Sequence, residues 1–184
     1  MKRLVCVVLV LGCVRMVDAQ IPTPKPSDAH KVLADDAGTW DCNVKMYYQG
    51  PDGPASEFKG VEKNELVSGD LYCRTSFTCQ MGPVKFEGNC LTGYDFRTKE
   101  YVATWVDNFT SVPSSLKGKY DAKTKTMTMY STVVDQQGNE LKQKQVTVYK
   151  DDKSKTFTIY YLQKVDGKEK AVKLMEMAAK KRER

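Results

Sequence analysis

From Trp40 to about residue 178, apolar side chains return at every second position rather than every third or fourth. Trp40, Cys42, Val44 and Met46 alternate with Asp41, Asn43 and Lys45. Leu71, Cys73, Thr75, Phe77 and Cys79 alternate with Tyr72, Arg74, Ser76 and Thr78, and Val84, Phe86, Gly88 and Cys90 alternate with Lys85, Glu87 and Asn89. Tyr101, Ala103 and Trp105 then oppose Val102, Thr104 and Val106. Met127, Met129, Ser131 and Val133 share a phase, as do Phe157, Ile159 and Tyr161. A period of two places each set on one face of a strand. Weaker segments at 57–68, 115–120, 140–149 and 169–178 complete about ten strands. Turn clusters separate them: "GPDGPAS", "SGD", "QMGP", "YDFRTKE", "DAKTK", "KDDKS" and "VDGK". Links this short join antiparallel neighbours, because a parallel crossover needs a dozen residues or more. A long meander has exposed edges, and closure removes them. The pattern therefore predicts an all-β fold, a single antiparallel up-and-down barrel over residues 28–179.

Ahead of the barrel the period changes. Ala29, Val32 and Leu33 fall at i, i+3 and i+4, which predicts a short helix with one apolar stripe. Ser27 can cap it and Asp28 suits its positive N-terminal end. Gly38 stops the helix and lets the chain turn into the first strand. Trp40 is then the first inward side chain, a large plug near the closed end. Structural roles are predicted for both Gly38 and Trp40. "IPTPKP" makes residues 20–27 an extended proline-rich spacer. Residues 1–19 read as a signal peptide: Lys2 and Arg3, then an apolar run from Leu4 to Val14, then Val17 and Ala19 at the small-residue cleavage positions. That run is shorter than the roughly 20 residues a membrane-spanning helix needs. "VLGC" at 10–13 also loosely resembles a lipobox, which would anchor the chain through Cys13. The expectation is a secreted or periplasmic protein, with the lipoprotein as its alternative.

Charge changes this picture little. The 184-residue chain has a formal net charge of +6, and losing Lys2, Arg3, Arg15 and Asp18 with the leader leaves +4. The charge is spread along the chain and dense only in the final "KKRER". Nucleic-acid binding would need a basic stripe on a recognisable module, so residues 180–184 read as a solvated, frayed tail. The remainder suits one domain with a sizeable core.

Of six cysteines, four remain beyond the leader: Cys42, Cys73, Cys79 and Cys90. All lie on the apolar phase, and an even count in an exported chain permits disulfides. If "QMGP" is a four-residue hairpin loop, Cys73 faces Cys90 directly. Opposed side chains sit about 4.5–5.5 Å apart at Cβ, near disulfide range. A Cys73–Cys90 bridge is expected on that basis. Cys42 and Cys79 either pair across the interior or stay as small buried hydrophobes. None of the spacings has the close CxxC knuckle of a zinc site, so no metal is expected. His30 is the single histidine. It reads as a polar position on a lid helix, badly placed as an axial haem ligand. One histidine gives no material for a catalytic triad or a multi-histidine metal centre. Asp95, Asp121, Asp151 and Asp166 fall in turns, where their carboxylates bond local amides. Glu62 and Glu176 are the carboxylates with candidate inward phases. With no nucleophile–base pair and no phosphate loop, neither enzyme activity nor a cofactor is expected.

The richest feature is the in-phase set Trp40, Met46, Phe77, Phe86, Trp105, Met127, Met129, Phe157 and Tyr161. In a narrow barrel such side chains fill the core, and in a roomier one they line a cavity. Methionine suits a permissive pocket. Met46, Phe77, Phe86, Trp105, Met129, Phe157 and Tyr161 are the candidate ligand-binding residues.

Four spaced motifs carry a family resemblance. They are "HKVLADDAGTWDCNVKMY" (which holds two of them), "FEGNCLTGYDFRTKEYVATWVD" and "GKYDAKTKTMTM". A histidine-lysine helix, a glycine-x-tryptophan strand start, a glycine-tyrosine-aspartate turn before a tryptophan strand, and a later glycine-x-tyrosine-aspartate turn appear in that order. Together they resemble the bacterial exported domain-of-unknown-function family 1579 over residues 28–178. The resemblance implies an exported bacterial protein of unassigned role. "NFT" at 108–110 fits a glycosylation sequon and is coincidental in such a protein. Positions 42, 73, 79 and 90 depart from the family pattern, so a general family role does not depend on these thiols. More remotely, the helix plus Gly38-Thr39-Trp40 is similar to the start of lipocalin and calycin barrels, a class that binds small apolar ligands. The expected function is non-enzymatic binding of a small apolar or amphipathic molecule in the barrel. Its competitor is an envelope structural or protein-interaction module whose barrel is filled.

Overall fold

The computed structural model describes residues 23–134, 138–165 and 167–183. The leader, Cys13 and the expected cleavage point lie outside the described residues. A 3-10 turn, Asp28–His30, runs into α1, Lys31–Asp36. Ten strands follow: β1 Gly38–Met46, β2 Ser56–Val67, β3 Tyr72–Met81, β4 Val84–Asp95 and β5 Glu100–Asp107. The second half is β6 Ser114–Asp121, β7 Thr126–Val134, β8 Glu140–Tyr149, β9 Ser154–Val165 and β10 Lys168–Lys181. Each strand pairs antiparallel with its chain neighbour, and β1 pairs with β10 from Trp40↔Lys181 to Met46↔Met175. The sheet is thus a closed up-and-down barrel without a free edge.

The alternating pattern predicts its faces correctly because closure buries one side of every strand. Burial along β1 alternates from Trp40 through Cys42 to Val44, and along β7 from Met127 through Met129 to Ser131. The helix covers one end. Its Val32 and Leu33 pack with Cys73, Tyr101, Ala103, Leu116, Met127 and Met129. The Tyr101 hydroxyl donates to the Ala29 carbonyl at 2.6 Å and ties the turn to β5. A second cluster, Trp40, Cys42, Val44, Cys79, Met177 and Ala179, occupies the opposite arc of the wall. At the far end, the loops after β1, β3 and β5 lie at the mouth.

Two local expectations are corrected. "QMGP" makes a two-residue loop: Met81 pairs with Val84 and Gly82 has φ +61°. Glycine at the first loop position suits a tight hairpin turn matched to strand twist. The shorter loop shifts the ladder by two, so Cys73 faces Thr92 and Cys90 faces Thr75. Cys73 and Cys90 are therefore not directly opposed, and Cys42, Cys73, Cys79 and Cys90 are all free thiols. The basic end also differs from a frayed tail. Strand β10 runs to Lys181, the Arg182 amide donates to the Thr39 carbonyl at 2.8 Å, and its guanidinium pairs with Asp41 at 2.6 Å.

Candidate functional site

At the helix-covered end the barrel holds a buried charge cluster. Gly38, with φ +136°, turns the chain sharply between α1 and β1, and a side chain there would meet Lys181. The turn brings Asp36 over the end of the lumen. Lys155 on β9 points inward, in phase with Phe157, and its ammonium lies 2.5 Å from Asp36 Oδ1 and 2.6 Å from Glu62 Oε1. It also sits 4.3 Å from the centre of the Trp40 ring. The Trp40 indole N–H donates to the Asp36 carbonyl at 2.9 Å. Asn64 donates to Glu62 Oε1 at 2.6 Å and to Asp36 Oδ2 at 3.0 Å. Trp40 is 1% exposed and the Lys155 side chain 3%.

One buried cation between two carboxylates sets the electrostatics. Burial pulls Lys155 toward its neutral form, but Asp36 and Glu62 outweigh it and hold the ammonium above its ordinary range. Burial pushes the Asp36 carboxyl up, and the neighbouring Glu62 pushes the same way against Lys155. Burial, helped by Glu62, pushes the Cys42 thiol up to about 12. Burial, helped by Asp36, does the same to Cys73. Thiols held neutral are poor nucleophiles. This arrangement ties the helix end to the barrel wall and plugs that end.

The other half of the lumen has different chemistry. The register places every candidate ligand-binding residue on the inward face: Met46, Phe77, Phe86, Trp105, Met129, Phe157 and Tyr161. Met129 is buried beneath the helix, with Met127 beside it. Met46, Phe77, Phe86, Trp105, Phe157 and Tyr161 are inward yet only half-buried. Ile159, Val172 and Met175 behave the same way on β9 and β10. On β8 three successive inward residues, Gln143, Gln145 and Thr147, are polar, between Leu141 and Tyr149 in the same phase. Gln143 Oε1 accepts from Ser131 Oγ and from Gln145 Nε2, each at 3.5 Å.

Two shallow concavities lie outside the lumen. One, of about 490 Å³, lies on the outer wall and is lined by Asp41, Lys59, Thr78 and Lys180. The other, of about 450 Å³, lies beside the helix and is lined by Asp28, Lys31, Lys99 and Lys119.

Several residues sit where the sequence pattern did not put them. His30, read as a polar position on a lid helix, is buried at 3%, because the turn tucks it against Tyr94 and Phe96 at 5.9 and 5.5 Å. Its Nδ1 accepts from the Ser27 amide at 3.0 Å. Glu62 does point inward, but Glu176 pairs with Lys45 and Thr158 on the outer face. Asn108 of the sequon donates its side-chain amide to the Lys85 carbonyl at 2.8 Å. Lys155 had a legible signal, its phase with Phe157, Ile159 and Tyr161. Asp36 had none, since a helix end carries no strand phase.

Comparison with known proteins agrees with the geometry. The family described as "Protein of unknown function (DUF1579)" matches residues 25–181. No curated protein matches the chain. Among solved structures, the S-type phycobiliprotein lyase CPES from Guillardia theta is similar, with a TM-score of 0.58 at 7% identity. That match covers 86% of this chain and 99% of the lyase, and it shows a shared lipocalin-like barrel fold. A DUF3598 protein of unknown function from Nostoc punctiforme aligns over 85% of this chain and all of its own, with a TM-score of 0.25 at 7% identity.

Proposed function

The chain belongs to the DUF1579 family of proteins of unknown function, and we propose that it binds a small apolar or amphipathic molecule in the open half of its barrel. One observation carries this reading. Phe86, Trp105, Phe157, Tyr161 and Met175 face inward yet keep solvent contact, whereas Trp40, Cys42, Val44 and Met177 face inward and have almost none. A lumen filled throughout would bury both sets alike. The lumen wall combines methionine, aromatic rings and a few amides, the mixture that small-molecule sites use. The barrel it shares with a phycobiliprotein lyase fits a small-ligand role. We propose binding rather than catalysis, since Lys155, Asp36 and Glu62 pair with one another at the closed end and Asp107 is engaged by Trp105 and two loop amides.

The leader reading joins this proposal: the protein is exported, and the ligand is met outside the cytoplasm. N-terminal sequencing of the mature protein from its own host should begin at Gln20.

The binding test uses 1-anilinonaphthalene-8-sulfonate, whose emission rises in apolar sites, together with native mass spectrometry of protein purified from its host. Wild type should enhance the probe at 1:1 stoichiometry. Met175→Trp, which fills the lumen, should lose most of that signal while keeping its fold. Absence of both probe enhancement and co-purified mass would favour the competing reading, a filled interaction module.

A further inference from the structure

The lumen wall is shaped on one side in a way that simple apolarity does not require. Gly60 and Gly88 face inward, at positions where every neighbouring strand carries a side chain. A Cβ at Gly60 would lie 2.7 Å from the Phe77 ring, and one at Gly88 would run into the Trp105 ring. Each glycine therefore acts as a recess in which an aromatic ring lies flat against the backbone. Trp105 is held in that pose. Its indole N–H donates to Asp107 Oδ2 at 2.7 Å, and Asp107 Oδ1 accepts from the Phe109 and Thr110 amides at 2.8 and 2.9 Å. Phe86 lies beside it, ring planes 20° apart and centres 6.4 Å apart. Phe77 borders the pair at 6.0 Å from Phe86 with its plane tilted by 59°, and Phe109 backs Phe86 edge-on at 5.1 Å. The result is an aromatic wall across β3, β4 and β5 whose near-parallel part is the Phe86–Trp105 pair.

Across the barrel, β8 presents amides. Strand β8 lies five places from β3 around the ten-strand ring. Gln143 and Gln145 point inward there and share one long 3.5 Å contact. Gln143 Nε2 and Gln145 Oε1 make no hydrogen bond to a described residue, and the two amides bring both donor and acceptor chemistry to this side of the lumen. An interior that only needed filling would place branched aliphatic residues at 143 and 145 and side chains at 60 and 88.

Resting on the lumen-binding reading, we infer that the site selects a flat, ring-containing molecule with hydrogen-bonding atoms along one edge. Its face lies on the Phe86–Trp105 pair, with Phe77 at its border, and its polar edge meets Gln143 and Gln145. A flexible saturated chain or a puckered alicyclic would leave that pair unmatched, because ring-on-ring geometry adds stabilisation beyond the area covered.

The test compares three probes by calorimetry: 2-naphthamide, its fully saturated decahydronaphthalene counterpart, and naphthalene. The flat amide should bind at least about tenfold more tightly than the puckered amide. It should also bind more tightly than naphthalene. Gly88→Ala, which forces Trp105 off the wall, should bring the flat and puckered amides to within about threefold of each other. Trp105→Leu does the same without inserting a side chain, and serves if Gly88→Ala does not fold. Gln145→Leu should erase the advantage of the amide over naphthalene while leaving the flat-over-puckered preference intact. Equal affinity for flat and puckered probes in the wild type would overturn the inference and leave lumen binding standing. Failure of all three probes, and of 1-anilinonaphthalene-8-sulfonate, would overturn both.

Discussion

The two halves of the barrel interior use aromatic residues in opposite ways. At the closed end, Trp40 is 1% exposed. Lys155 packs on its face and Asp36 accepts its N–H, so the ring is enclosed by charge and backbone. In the open half, Trp105 is also fixed through its N–H, but to a carboxylate on its own strand, and the residue stays only half-buried. Both tryptophans are pinned, yet only the first is fully covered. The difference teaches that the closed end is assembled from long-range partners that must meet in space. The open half is assembled from neighbours on adjacent strands, which hold a surface ready without filling it.

The harshest way to break this contrast is to remove the cation. Lys155→Met would leave Asp36 and Glu62 buried together without a counter-charge. Urea unfolding at pH 7 should show a loss of about 3–5 kcal/mol. Burial already pushes Asp36 upward, so the deficit should shrink as pH falls and the carboxyls protonate. A loss that stays constant down to pH 4 would show that the cluster is not electrostatic in origin.

Next in size is the tryptophan pair itself. Trp40→Ala should cost about 3–5 kcal/mol, the range for a large buried ring. Trp105→Ala should cost less than half as much, because the half-buried residue gives up less burial. Equal losses in denaturant melts would mean that the open half is packed as tightly as the closed one.

Alkali should act on the closed end first. Burial keeps Cys42 and Cys73 protonated up to about 12, against an ordinary value of 9.0. Between those values the unfolded chain releases protons that the folded chain keeps, so stability falls as pH rises. Lys155 sits above its ordinary 10.5, so its contribution is complete below that pH and is lost as pH rises through its folded-state value. Thermal melts should be flat from pH 7 to 9 and then decline. A Cys42→Val, Cys73→Val variant should delay the decline.

Smaller effects concern surface access and packing. Cys42, Cys73 and Cys79 are buried, so maleimide should label them only after unfolding. Non-reducing peptide maps should recover Cys73 and Cys90 unlinked. Met175→Leu should change stability by less than about 1.5 kcal/mol, since it conserves volume. A larger cost would place Met175 in a filled core rather than a lumen wall.

The reach of the sequence differs between these halves. The in-phase set from Met46 to Tyr161 was legible because strand alternation is local and closure converts phase directly into facing. The aromatic wall was only half legible. Phe77, Phe86 and Trp105 were visible as inward residues, but the recesses at Gly60 and Gly88 depend on which residue lies opposite, and register is set by loop length. One misjudged loop, "QMGP", moved Cys73 from Cys90 to Thr92. The closed-end cluster was the least legible part. Asp36, Glu62 and Lys155 are far apart along the chain and lie on three different elements.

What the sequence determined by itself is the alternation, the turns, the helix ahead of them and hence a closed antiparallel barrel, because those follow from periods of 2 and 3.6 and from short connections. What only the tertiary structure decided is which inward residues are covered. The helix turns at Gly38 and lays Asp36 over Trp40 and Lys155, sealing one end. The other end keeps its rings only half-buried, because no described element folds across it. Burial depends on what arrives from elsewhere in the chain, and no local period encodes that.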